Sequence, residues 1–153
     1  MSDITTVILA AGNSTRFKAS KSKLVYPLCG LPIVSHIFNI AKKISGKNIL
    51  VVSNEKNKEE LKLILNTSKL VVQKKQKGTA DAIEQVKKYV KSKNILILFG
   101  DTPLVEVKDI RKLVSKFKKS KAKASLIAFN TSEPHGYGSC LLYTSDAADD
   151  GLC

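Results

Sequence analysis

Tryptophan is absent, methionine occurs once, and aromatic residues make up only 6% of the chain. The chain is thus poorly supplied with the rings on which unpaired bases stack, which weakens a nucleic-acid-binding reading. Cysteine is also scarce. Cys29, Cys140 and Cys153 fit no zinc-ligand spacing and no disulfide framework, so a reducing compartment, the cytoplasm, is expected. No run reaches 18 apolar residues, so no membrane span or membrane partner is expected. Met1-Ser2-Asp3 is polar and leads straight into an apolar run, so no signal peptide is expected either. Acids are few, 13 against 26 basic residues, and only two of the basic residues are arginine, Arg16 and Arg111. The net charge of +13 is read as lysine-rich helix surface with nonspecific affinity for polyanions, and no specific nucleic-acid partner is expected.

What is present is a regular alternation. Residues 7–9 (VIL) are apolar on both faces and predict a buried strand. The spacing of Ile33, Ile37, Ile40, Ala41 and Ile44 predicts a helix that Ser45-Gly46 ends. Residues 48–53 predict a second strand, and Asn54 is placed as cap of a helix with Leu61, Ile64 and Leu65 inward. Strands are predicted over 69–73, 94–99 and 124–130, and helices over 79–90 and 107–118. The strand at 94–99 is the most apolar and is expected to be central. Strand–helix alternation of this kind predicts an α/β fold with a mainly parallel sheet covered by helices. In 153 residues there is room for one domain, or part of a larger one.

Three of the strands run into polar or glycine-containing loops, and a parallel sheet brings such loops to one edge, where open α/β folds bind ligands. The first loop is Ala10-Ala11-Gly12-Asn13-Ser14-Thr15, with Arg16, Lys18, Lys21 and Lys23 after it. Small residues let backbone N–H groups approach an anion, and the cations neutralise it. The plainer reading is a tight turn among solvated lysines; neither the P-loop nor the Gly-x-Gly-x-x-Gly pattern is there. The second is Gln73-x-x-Gln76-x-Gly78-Thr79-Ala80-x-Ala82. Glutamine offers a donor and an acceptor to a base edge, Gly78 permits close approach, and Thr79 can cap the next helix. These residues equally suit a strand end, a turn and a cap. The third is Gly100-Asp101-Thr102-Pro103. A carboxylate beside a polyphosphate calls for a cation, and Mg²⁺ suits a site shared between one carboxylate and phosphates. Alternatively, Asp101 forms a turn or caps the following helix.

Leu9-Ala10-Ala11-Gly12-x-x-Thr15-Arg16-Phe17, followed by Lys23 and Gly30-x-Pro32, resembles the signature of sugar-phosphate nucleotidyltransferases. Adding Gln73-x-x-Gln76-x-Gly78-Thr79-Ala80, Phe99-Gly100-Asp101-x-Pro103-Leu104 and His135-Gly136-Tyr137-Gly138, the chain is similar to the N-acetylglucosamine-1-phosphate uridyltransferases over about residues 5–138. The resemblance implies a Rossmann-like, GT-A-like fold, of which residues 1–138 are the N-terminal part. It implies transfer of UMP from UTP to N-acetylglucosamine 1-phosphate, with Mg²⁺ as cofactor and pyrophosphate as the second product. It assigns Arg16, Lys23 and Asp101 to catalysis and Asp101 to the metal. Leu9, Ala10, Ala11, Gly12, Lys23, Gln73, Gln76, Gly78 and Thr79 would hold the nucleotide, and Phe99, Gly100 and Gly138 the sugar. Full-length members are expected to be homo-oligomeric. A related CTP- or GTP-dependent enzyme and a basic nucleic-acid-binding module are the alternatives.

The chain departs from this pattern in places. Ser22 stands where a proline precedes the lysine, and Phe99 where tyrosine is common. From Ser139 the sequence reads SCLLYTSDAADDGLC, with no basic residue and three of the 13 acids. Residues 139–153 are read as a tail of unrelated origin, disordered or loosely attached. On this reading the rest of the sugar pocket and a second metal ligand are missing, and weak UTP binding with little or no turnover is expected.

Overall fold

The computed structural model describes residues 3–13, 17, 21–66 and 69–133. By internal contacts the chain divides into two compact units, Met1–Arg111 and Lys112–Cys153.

In the first unit, β1 (Ile4–Leu9) is followed by a short 3₁₀ turn (Lys23–Val25) and a two-residue hairpin of β2 (Pro27–Leu28) and β3 (Leu31–Pro32). Then come α1 (Ile33–Ser45), β4 (Ile49–Ser53), α2 (Lys58–Leu65), β5 (Leu70–Val72), α3 (Thr79–Val86) and β6 (Asn94–Phe99). The four long strands form one parallel sheet in the order β5-β4-β1-β6. The parallel α/β architecture expected from the alternation is therefore present.

β1 and β4 are apolar on both faces because both faces are covered. Val7 pairs in register with Leu50, and Leu9 with Val52. Val7, Leu50 and Val52 pack with Ala82 and Val86 of α3. On the other face Thr6 meets α1, where Ser45 Oγ donates to Thr6 Oγ1 at 2.8 Å. Val34, Ile37 and Ala41 of α1 are fully buried, on the face the periodicity predicts. Val34 and Ile37 each contribute about 1.5–3 kcal/mol. α1 stops where Gly46 takes φ 61° and donates its N–H to the Lys42 carbonyl, a conformation open to a residue without Cβ.

Several expectations are corrected. β6 is not central: among the described residues β1 lies between β4 and β6, and β6 ends the sheet. Its Leu96 and Leu98 are buried while Ile95 and Phe99 are 43% and 49% exposed; an apolar run does not say how many neighbours a strand has. The helix after β4 starts from Asn57, not Asn54, because Asn54 is engaged elsewhere. The helix predicted over 79–90 is α-helical to Val86 and closes as a 3₁₀ turn, Lys87–Tyr89.

Helix α4 (Val107–Lys119) begins in the first unit, with Ile110 buried. In the second unit Leu113, Val114 and Phe117 are half-buried. Residues 121–133 contain neither helix nor strand, so the strand predicted over 124–130 does not form. Leu126, Ile127 and Phe129 are exposed; apolar content makes a strand only where a ladder partner satisfies the backbone. Residues 139–153 lie outside the described residues.

Candidate functional site

The parallel sheet carries the ends of β1, β5 and β6 to one edge, and their loops enclose a cleft of about 240 Å³. Its floor is Leu9, Ala10, Ala11 and Gly12. Ala10 and Ala11 are buried, since the sheet needs small side chains where β1 runs out between its neighbours. The Ala10 N–H still donates to Val52 O, and the Gly100 N–H to Leu9 O, so the loop begins from fixed backbone on both sides.

One wall comes from the segment after β5. Gln73 is 3% exposed, and its Nε2 donates to Asp81 Oδ2 at 2.6 Å and to the Gly78 carbonyl at 3.2 Å. Its donor is thus spent on shaping the loop, leaving Oε1 as the group it can offer a ligand. Gly78 has φ 102° and ψ −178° and is itself the N-cap of α3. Thr79 is the first helical residue and does not cap, contrary to expectation. Gln76 crosses to the first loop, where Asn13 Nδ2 donates to its Oε1 at 3.2 Å. Gln76, Gly78 and Thr79 line the cleft, together with Ala82 at the end of the same motif.

The opposite wall is Lys23, Leu24, Phe99 and Asp101. Lys23 is held at the start of its 3₁₀ turn, where Ser22 Oγ accepts the Leu24 N–H and Ser22 O accepts the Val25 N–H. Ser22 has φ −60°, the value a proline would impose, so the departure at this position leaves the backbone conformation intact. Lys23 Nζ donates to Asp101 Oδ2 at 2.5 Å, with both side chains more than a third exposed. Asp101 is therefore neither a cap of α4 nor the bond that closes its turn; Thr102 Oγ1 does that, donating to Phe99 O. Gly100 brings its backbone against β1: an added Cβ would stand 3.1 Å from Leu9 O.

Arg16, Gly138 and the rest of the His135-Gly136-Tyr137-Gly138 match lie outside the described residues. Of the other residues singled out for the site, all but Gly100 line the one cleft, and Gly100 sits beside it. Two that were missed stand behind it. Asn57 Nδ2 donates to the Ala10 carbonyl at 2.8 Å, and Asn54 Nδ2 to the Ala11 carbonyl at 3.0 Å.

Among the described residues no three His, Cys, Asp or Glu side chains gather as a metal cage. A lone carboxylate at the cleft fits a hard divalent ion that takes its other ligands from phosphate and water. No helix of the described residues is long and apolar enough to cross a membrane.

The chain is 41% identical over 138 residues to the bifunctional protein GlmU of Buchnera aphidicola subsp. Schizaphis graminum, a match covering 89% of this chain and 30% of that one. It spans about a third or less of the curated relatives it matches. A Bacillus anthracis structure assigned as a glucose-1-phosphate thymidylyltransferase superposes with TM-score 0.69 at 21% identity, over 77% of this chain and 51% of that one. Rv0371c of Mycobacterium tuberculosis H37Rv, solved in complex with manganese, gives TM-score 0.60 at 18% identity, over 77% and 61%. These two likenesses concern the fold. The model of the MobA-like NTP transferase domain matches residues 6–150, nearly the whole length, and the chain belongs to that family.

Proposed function

We propose that this chain carries the nucleotide-binding part of a cytoplasmic uridylyltransferase that makes UDP-N-acetylglucosamine from UTP and N-acetylglucosamine 1-phosphate, for cell-wall precursor synthesis. The observation that carries the reading is the single cleft in which a small-residue loop, a glutamine-glycine loop and the Lys23–Asp101 pair meet. Similarity to GlmU proteins supports it independently.

In the proposed reaction an oxygen of the sugar phosphate attacks the α-phosphorus of UTP. The bond from that phosphorus to the bridging oxygen breaks, and its electron pair leaves on pyrophosphate. No protein nucleophile is needed; the chain's work is to position and to neutralise. Leu9, Ala10, Ala11 and Gly12 would hold the nucleotide by backbone contacts, with the N–H groups of Ala11 and Gly12 left for the triphosphate. Lys23 would move its charge from Asp101 to the phosphate under attack, and Arg16 would take the departing pyrophosphate. Gln73, through its free acceptor, and Gln76 with the backbone at Gly78 and Thr79 would read uracil and ribose. Phe99, Gly100 and Gly138 would border the sugar. Asp101 would hold Mg²⁺, which supplies charge stabilisation on the phosphate oxygens.

The test is a thermal-shift and calorimetric titration with UTP, CTP, ATP and GTP, each with and without Mg²⁺. Stabilisation selective for UTP is expected, and Asp101→Ala should abolish the part that Mg²⁺ adds. Equal response to all four nucleotides would sink the uridine reading and leave a nucleotidyltransferase of other specificity.

A further inference from the structure

We infer that Asn54 and Asn57 are positioning residues that aim the backbone N–H groups of the first loop at the ligand's phosphates. The inference rests on the phosphate reading of residues 10–12 given above. Neither asparagine lines the cleft. Both are buried, at 4% and 2% exposure, and their orientation is set by each other. Asn54 Oδ1 accepts the N–H groups of Lys56 and Asn57, both at 2.9 Å, while Asn57 Oδ1 accepts the Asn54 N–H at 3.0 Å. Each amide oxygen is thus spent on the turn before α2. Each amide nitrogen is turned to the loop, Asn57 to the Ala10 carbonyl and Asn54 to the Ala11 carbonyl.

A trans peptide carries its C=O and the next N–H on opposite sides, and no peptide among the described residues is cis. With the Ala10 carbonyl drawn to Asn57, the Ala11 N–H faces the other way. With the Ala11 carbonyl drawn to Asn54, so does the Gly12 N–H. Among the described residues neither N–H has a hydrogen-bond partner. Two donors are therefore held together, directed away from α2, on a loop that lines the cleft. Adjacent N–H groups of this kind make an anion cradle. Holding their carbonyls from behind removes the reorganisation that binding would otherwise require.

The test uses the full chain, inorganic pyrophosphate and uridine as separate probes, and amide NMR with calorimetry. Pyrophosphate is expected to shift the Ala11 and Gly12 amides of the unaltered chain. Asn57→Asp replaces a donor by an acceptor facing the Ala10 carbonyl. It should weaken pyrophosphate at least about tenfold, the scale of a lost charge-assisted hydrogen bond, with uridine affinity unchanged. Equal loss of both probes would mark a purely structural role, and unchanged pyrophosphate affinity would refute the inference outright. If Asn57→Asp does not fold, Asn54→Ala decides: it releases the Ala11 carbonyl, the longer 3.5 Å contact to the Gly12 carbonyl and the two N–H groups that Oδ1 accepts, and should still weaken pyrophosphate selectively. Unaffected Ala11 and Gly12 amides in the unaltered chain would overturn the cradle even if uridine binds. Pyrophosphate binding without UTP preference would overturn the uridylyl reading and leave the cradle standing.

Discussion

Removing Lys23, Asp101 or both should barely alter stability while changing anion binding in opposite directions. At about 4 Å two unit charges attract by about 1 kcal/mol in water and about 4 kcal/mol at a surface-like effective dielectric of about 20. The side chains here are 36% and 40% exposed, so solvent and salt screen the pair and its net worth is about 0.2–1 kcal/mol. For a chain of this size that is under about 4 °C in melting temperature. A double-mutant cycle by urea unfolding of the unaltered chain, Lys23→Ala, Asp101→Ala and the double variant measures the coupling. The same four proteins are then titrated with UTP. Without metal, Asp101→Ala deletes a charge of the ligand's own sign and should tighten binding by up to about fivefold, on the order of 1 kcal/mol. With Mg²⁺ present the order should reverse, because the carboxylate that would share the ion is gone. Lys23→Ala should weaken binding in both buffers. A stability coupling above about 2 kcal/mol, together with UTP affinity indifferent to either change, would show the pair to be a structural clasp between the first loop and β6, and the reasoning would fail.

Two further outcomes are expected. Gly78→Ala meets no atom within 4 Å, but φ 102° with ψ −178° is a region reserved to glycine. It should cost about 1–3 kcal/mol, seen either as a lower unfolding midpoint or, where the loop relaxes, as weaker nucleotide binding; an unchanged value of both in calorimetry would contradict the assigned backbone. Leu61→Ala empties a fully buried position on α2 and should destabilise by about 2–5 kcal/mol in urea unfolding, and a loss below about 1 kcal/mol would mean that α2 is loosely packed.

The sheet and the cleft were legible in the residues for different reasons. Residues 7–9 and 48–53 are apolar on both faces, which marks covered parallel strands; 94–99 reads the same way, although Ile95 and Phe99 of β6 are exposed. Once the strands are parallel, their C-terminal loops have to share an edge, so Gly12, Gln76 and Asp101 meet although 64 and 25 positions separate them in turn. The place of β6 at the end of the sheet was not legible, because a strand's hydropathy does not report its neighbours. Residues 124–130 have the composition of a strand without the ladder that makes one. Asn54 reads only as a helix cap and Asn57 carries no signal, because each bonds a carbonyl more than 40 residues away. Such a bond leaves no period and no spacing, and an asparagine after a strand looks the same whether it caps a helix or braces a distant loop. The donor of Gln73 was read as available to a base, whereas Asp81, eight residues on, already holds it.

The packing of α3 bears on how this scaffold can change over evolutionary time. Ala82 and Val86 anchor the helix in the core beneath the cleft, whereas Lys74, Lys75, Gln76, Lys77 and Gly78 ahead of it are all exposed. Replacements at exposed positions without special conformation usually alter stability by no more than about 0.5 kcal/mol. The stretch from Lys74 to Lys77 can therefore accept successive substitutions while β1, β4 and α3 stay as they are, with Gln73 and Gly78 as fixed points at either end. Of these four positions only Gln76 lines the cleft, so the cleft can change there while Ala11 and Ala82, which line it and also belong to the core, stay fixed.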